Sequence, residues 1–141
     1  MGKPGVGKTH LANALGIEAL KQGYKVIKKH CSTLVEELHS SRGDGTYHKK
    51  LKKLLKIDLL IIDELGFKKI SLDYIDEFFE IIRRRYENGS IIITTNRNFE
   101  EWGNIFGDVV LASAIVDRIV HHSHIVMITG NSYRIKNFEI R

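Results

Sequence analysis

The start of the chain carries residues whose types and spacing suit phosphate chemistry. The run GKPGVGKT, residues 2–9, fits the pattern G-x-x-x-x-G-K-[ST] of a phosphate-binding loop. Its glycines let the backbone turn tightly and point N–H groups at a phosphate, and its Lys8 places an ammonium against the β- and γ-phosphates. The alternative is a glycine-rich turn that binds nothing. We predict a nucleotide phosphate site at Gly2, Pro4, Gly5, Val6, Gly7, Lys8, Thr9 and His10.

Two acids follow an apolar run in the sequence LLIIDE, residues 59–64. A buried strand that ends on Asp63 brings this carboxylate to the edge of a sheet where ligands bind in open α/β folds. There Asp63 and the Thr9 hydroxyl would hold Mg²⁺, and Glu64 would orient or deprotonate an attacking water. Alone, the pair also suits a turn with two solvated acids. Downstream of a complete phosphate loop, it indicates metal-dependent hydrolysis of a nucleoside triphosphate.

Two further side chains are candidates for the same chemistry. Asn96 follows the apolar run 91–94, and its neutral amide would hydrogen-bond a water or the γ-phosphate; an asparagine in an ordinary strand-end turn is the alternative. Arg118 lies late in a predicted helix and would complete the site of a neighbouring subunit as an arginine finger. By residue type alone, a surface ion pair with Asp117 is the simpler interpretation.

The elements that must position these residues alternate along the chain. Helical spacing and caps predict helices over 8–22, from Thr33 (with Glu36 as a capping box), over 47–56, from Ser71, from Asn98 and over 111–119. Short apolar or β-branched runs predict strands over 24–29, 58–62, 91–94 and 124–128. Helices that alternate with such strands indicate an α/β fold with a parallel sheet flanked by helices.

Composition limits the class of protein. The chain has 141 residues, enough for one domain, and 22 Lys plus Arg against 17 Asp plus Glu, which permits contact with nucleic acid. The single Cys31, the lack of a signal peptide and the lack of an apolar run near 20 residues favour a cytoplasmic protein without a membrane partner. The lysine-rich helix 47–56 is either a DNA contact or a solvated face, and Arg83–Arg85 is expected to be solvated or to contact another subunit.

Longer runs resemble one family. GKPGVGKTHLANALG, DLLIIDELGF, IIITTNRNFEEWGNIFGD, AIVDRIVHHSH and GNSYRIK are similar to the IstB-like branch of the AAA+ ATPases, helper ATPases of insertion-sequence transposition. The resemblance implies that Lys8 and Thr9 are the Walker A residues, that Asp63 and Glu64 are the Walker B pair, and that Asn96 is sensor 1. It further implies that Arg118 is the arginine finger and that Arg134 fills a place like sensor 2.

The resemblance also implies cofactors and partners. These are ATP and Mg²⁺, double-stranded DNA, a transposase and further copies of the chain. Two alternatives remain open. One is a helicase loader like DnaC, which acts on single-stranded DNA in replication. The other is a non-catalytic fragment of such an ATPase.

The family pattern places a strand before the phosphate loop, whereas only Met1 precedes Gly2 here. We therefore expect one domain over 1–141, an N-terminally shortened AAA+ core without a full lid domain. In the intact fold the preceding strand lies between the strands at 91–94 and 124–128. We expect these two either to pair directly or to leave the last strand out of the sheet.

Overall fold

The computed structural model of the chain describes residues 1–136, which form an α/β domain. Its regular elements are α1 (Lys8–Lys21), β1 (Val26–His30), α2 (Cys31–Ser40), α3 (Tyr47–Lys56), β2 (Leu59–Leu65), α4 (Leu72–Arg85), β3 (Ser90–Thr95), α5 (Trp102–Phe106) and α6 (Val109–His121). Two single 3₁₀ turns lie at Phe99–Glu101 and Tyr133–Ile135. Helices therefore alternate with strands, as the sequence predicts.

The described strands form one parallel sheet in the order β1-β2-β3. The middle strand β2 is apolar on both faces because helices cover both. Its Leu60 and Ile62 enter the main core with α2, α4, α5 and α6, whereas Leu59 and Ile61 pack against Ala12 of α1. The parallel strands bring their carboxyl ends, and with them the predicted acids, to the edge of the sheet where α1 begins.

Helix α1 begins at Lys8 as predicted and ends one residue earlier than predicted, at Lys21, before Gly23 with φ +88°. Helix α3 has the predicted bounds. The predicted start of α2 at Thr33 is wrong. The helix begins at Cys31, directly after β1, because the extended backbone of His30 already provides the N-cap and leaves Thr33 inside the first turn.

The predicted strand at 124–128 is also wrong. This segment makes only an isolated parallel bridge, between Ile128 and Gly2, and lies outside the sheet. The chain start lies between β3 and the segment 124–128. Gly2 N–H donates to the Thr95 carbonyl of β3 at 3.2 Å, and Ile128 N–H donates to the Met1 carbonyl at 2.8 Å. The second expected outcome, a last strand left out of the sheet, is the one observed. A strand needs a neighbour's backbone, and among residues 1–136 only Met1 and Gly2 supply one to this segment.

A large cleft separates β3 from the segment 124–128. It has a volume of about 1040 Å³ and extends to α1 and α6. Leu11 and Leu15 share one face of α1, as predicted, but face this cleft and are 42% and 49% exposed. The apolar face of α1 is therefore only half covered by the sheet.

Candidate functional site

The phosphate loop turns directly into α1. Gly5 and Gly7 have φ of +81° and +95°, values that favour glycine, and the Gly7 carbonyl accepts the first helical hydrogen bond from Leu11 at 2.9 Å. A cavity of about 680 Å³ lies over this loop. The first turn of α1 lines the cavity, so unpaired N–H groups and the positive end of the helix dipole are available to an anion. Residues from four parts of the chain form its walls: Pro4–His10, Glu64, Phe67, Thr94–Asn96, Tyr133 and Arg134.

Lys8 is the first residue of α1, at the end of the loop. Its Nζ donates to the carbonyl of Lys3 at 2.7 Å, which folds the side chain back over the loop. Partial burial lowers the pKa of Lys8 from its ordinary value, and the positive charge of Arg134 lowers it further. Two cations converge here, and a polyanion such as a triphosphate would relieve their repulsion.

Asp63 lies beneath the loop with its side chain fully buried. Its Oδ1 accepts a hydrogen bond from the Thr9 hydroxyl at 3.0 Å and another from the Thr94 hydroxyl. Its Oδ2 is buried and accepts no well-aligned hydrogen bond, although the Lys28 ammonium lies 3.1 Å away. Burial pushes the pKa of Asp63 up, and contacts from Thr94, Lys28 and Thr9 outweigh this, so the pKa lies below its ordinary value. The carboxylate is therefore ionised.

Sequence reasoning missed Thr94 and Lys28. Thr94 lies on the strand next to Asp63, and its hydroxyl accepts from the Glu64 backbone N–H at 3.0 Å while donating to Asp63. Lys28 lies on β1, the other neighbour of β2. Only the order of the strands brings these side chains to Asp63. The one signal in the sequence was that each is a polar residue within a predicted strand.

Glu64 has an unusual backbone. Its φ is +62°, and the pairing between β2 and β3 shifts register between Ile62 and Leu65. Side chains along β2 otherwise alternate between its two buried faces. The irregularity breaks this alternation at Glu64, whose side chain is exposed and lines the cavity. Its carboxylate lies 3.3 Å from His30 Nδ1. A non-glycine residue in the left-handed region is strained, and such strain is common at functional sites.

Asn96 and Arg134 line the same cavity as Lys8 and Glu64. The turn that carries Arg134 is held on the phosphate loop, because the Tyr133 N–H donates to the Gly5 carbonyl at 2.9 Å. A Cβ atom at Gly5 would lie 2.0 Å from Ser132 Oγ, so this close approach requires glycine. The structure thus brings together residues about 130 positions apart.

Three predicted site residues do not line this cavity: Asp63, which lies beneath the loop, Arg118 and Gly2. Arg118 donates to the Ala114 carbonyl at 3.0 Å within its own helix and stacks over Phe79 at 5.3 Å, and it lines the larger cleft. No carboxylate within residues 1–136 pairs with it, Asp117 included. Gly2 bonds to Thr95 at the end of β3. A role for Arg118 in a second subunit stays a prediction.

The residues present fit a magnesium ion. The Thr9 hydroxyl and the Asp63 carboxylate supply adjacent oxygen atoms, and Asp63 Oδ2 is a buried acceptor without an aligned donor. Within residues 1–136, no group of three or more His, Cys, Asp or Glu side chains is arranged to hold a metal by itself. This donor set suits an ion that takes one protein carboxylate, waters and phosphate oxygens, which is the usual coordination of Mg²⁺.

A phosphate loop between sheet and helix, with two acids ending the adjacent strand, defines a P-loop ATPase domain of the AAA+ class. Solved structures agree. The crystal structure of the DnaC helicase loader superposes with a TM-score of 0.78 at 30% identity, over 91% of this chain and 75% of that one. AMPPCP-bound DnaA from Aquifex aeolicus superposes with a TM-score of 0.75 at 28% identity, over 96% of this chain and 41% of that one.

The chain belongs to the family described as IstB-like ATP binding protein, whose model matches residues 1–139. A Geobacillus stearothermophilus protein, named as an ATP-binding protein of insertion sequence IS5376, is 45% identical over 96% of this chain and 54% of its own length. A Pseudomonas aeruginosa protein, named likewise for IS21, is 43% identical over 96% of this chain and 51% of its own length. The chain therefore spans about half the length of these relatives. In the described residues, every helix is too short or too polar to cross a membrane.

Proposed function

We propose that this chain binds and hydrolyses ATP with Mg²⁺ as the ATPase core of a helper protein for insertion-sequence transposition. The observation that supports this best is the hydrogen bond of 3.0 Å between Thr9 and Asp63, with Lys8 and Glu64 on the walls of the adjoining cavity. Family membership supports the nucleotide, and the insertion-sequence names of the relatives support the process.

Binding would use groups that are already in place. The N–H groups of the loop and of the first turn of α1 take the phosphates, and Lys8 exchanges the Lys3 carbonyl for a phosphate oxygen. Thr9 and Asp63 would hold Mg²⁺, which when bound would offset phosphate charge and favour attack at phosphorus. Arg134, which lines the same cavity, would contact the same anion.

Hydrolysis would use the exposed carboxylate of Glu64, which accepts a proton from the attacking water or orients it. The Asn96 amide hydrogen-bonds this water or the γ-phosphate without adding charge. Arg118 would stabilise the transition-state charge in the site of a neighbouring copy, since within its own chain it does not line the phosphate-loop cavity. This assignment requires a homo-oligomer.

The proposed macromolecular partners are double-stranded DNA and a transposase, and the proposed compartment is the cytoplasm. Helix α3 offers a surface for DNA phosphates, because its five lysines are all exposed while Leu51 and Leu54 are buried. They are Lys49, Lys50, Lys52, Lys53 and Lys56. The structural likeness to the DnaC helicase loader supports the second candidate, a loader that acts on single-stranded DNA.

Calorimetry with ATP and Mg²⁺ tests the proposal, with Lys8→Ala as the defective variant and Lys21→Ala, at the far end of α1, as the matched control. We expect micromolar binding that only Lys8→Ala abolishes, and hydrolysis stimulated more by duplex than by single-stranded DNA. Stimulation by single strands alone would favour the loader. Binding without hydrolysis, with and without DNA, would indicate the non-catalytic fragment, and absence of binding would overturn the ATPase assignment for this chain.

A further inference from the structure

Lys28 occupies an unexpected place in the site. Along β1, side chains alternate between the two faces of the sheet, so Lys28 faces α1 and Asp63 while Lys29 faces α2. Lys29 makes an ordinary exposed pair with Glu37 at 2.8 Å. Lys28 instead extends along the sheet toward a carboxylate that the proposed function assigns to Mg²⁺.

Its ammonium group is held on both sides. Nζ donates to Asn13 Oδ1 of α1 at 2.7 Å and lies 3.1 Å from Asp63 Oδ2. The Lys28 side chain is 32% exposed and that of Asp63 is 0% exposed, so the pair is only partly screened by solvent. The anchor to Asn13 fixes the ammonium beside Asp63.

The two oxygens of Asp63 have different partners. Oδ1 accepts hydrogen bonds from the hydroxyls of Thr9 and Thr94, whereas Oδ2 faces only the ammonium of Lys28 among the described residues. A divalent ion placed against Thr9 and Asp63 would lie close to this fixed positive charge. The ion and the ammonium would repel each other and compete for one carboxylate charge.

We propose that Lys28 is an internal counter-cation of Asp63, which neutralises the carboxylate before metal arrives and weakens the affinity of the site for Mg²⁺. This inference rests on the proposed function for the identity of the metal. Lys28 is thus a positioning residue that sets the metal dependence of nucleotide binding. The ammonium of Lys28 balances the charge of the buried Asp63 carboxylate when no metal is bound. A metal must therefore displace this ion pair to bind.

Mn²⁺ binding to the nucleotide-free chain, followed by the electron paramagnetic resonance of free Mn²⁺, tests the proposal without any catalysis. We expect Lys28→Met to tighten Mn²⁺ binding about tenfold, because a fixed unit charge a few ångströms away is removed. Adding Asp63→Asn to Lys28→Met should abolish this gain. Lys29→Met is the matched control, since it removes the same charge from the opposite face of the same strand.

Equal Mn²⁺ affinity for Lys28→Met and Lys29→Met would overturn the proposal, as would a gain that survives Asp63→Asn. Lys28→Gln, which retains a donor for Asn13, gives the same comparison if circular dichroism shows that Lys28→Met is unfolded. Binding of a fluorescent ATP analogue, with Mg²⁺ and with EDTA, is measured in parallel. Loss of that binding in every variant would contradict the proposed function, while the Mn²⁺ comparison would still decide the role of Lys28.

Discussion

His30 Nδ1 lies 3.3 Å from the carboxylate of Glu64, at the point where β1 and β2 end side by side. The acid proposed to act on water is therefore directed toward a neighbouring strand. The Glu64 side chain is exposed, so its orientation depends on few other contacts.

Replacing His30 with alanine should release Glu64 without touching the phosphate loop. We expect ATP affinity to stay within about twofold, and the hydrolysis rate to change by several-fold or more because the carboxylate is repositioned. Steady-state hydrolysis and equilibrium binding separate these two effects. His48→Ala, on the exposed face of α3, is the control, and an equal effect of both variants would show that the contact with Glu64 is irrelevant.

Thr94 should stabilise the fold and hold Asp63 and Glu64 in position. Replacing it with valine leaves Asp63 and the Glu64 N–H without a hydroxyl that both use, so the free energy of unfolding should fall by about 1–3 kcal/mol. Urea unfolding measures the change. Thr94→Ser retains the hydroxyl and should recover most of the loss; similar values for the valine and serine variants would assign the effect to packing alone.

The outer edge of β3 should exchange its amide protons quickly. The Ser90 N–H donates to the Asp58 carbonyl on the β2 side, whereas the Thr95 carbonyl accepts from Gly2 on the other side. Because backbone groups along a strand point alternately to its two sides, the N–H groups of Ile91 and Ile93 point at the cleft. Hydrogen exchange followed by NMR should show faster exchange at these two residues than at Ile92 between them. Equal protection across all three would mean that the cleft is closed in solution.

Cys31 should be chemically inert in the folded chain. Burial raises the pKa of its thiol from 9.0 to about 12, so almost no thiolate exists near neutral pH. A thiol reagent at pH 8 should label unfolded but not folded protein. Because the folded thiol keeps its proton to higher pH than the unfolded one, stability should fall as pH rises above about 9, the ordinary pKa. Cys31→Ala should lose this part of the pH dependence, and rapid labelling of the native chain would contradict the prediction.

The sequence was sufficient for features that depend on local pattern. The spacing of residues 2–9 predicts a tight glycine turn, and the structure has such a turn, with positive φ at Gly5 and Gly7. Apolar runs predict β2 and β3 because a strand covered on both faces must be apolar on both. The AAA+ class and the family are implied instead by the longer runs that resemble the IstB-like branch, and the comparisons confirm both.

Tertiary structure decided which residues meet. Thr94 and Lys28 reach Asp63 only because β3 and β1 flank β2, and strand order is not a local property of the sequence. Arg85, expected to be solvated or at a subunit contact, is instead buried and donates to four backbone carbonyls, since the ends of α3, β2 and β3 converge on it. The apolar run 124–128 lies outside the sheet for the converse reason. Its own sequence favours a strand, but a strand forms only where a neighbouring backbone is present to accept and donate its hydrogen bonds.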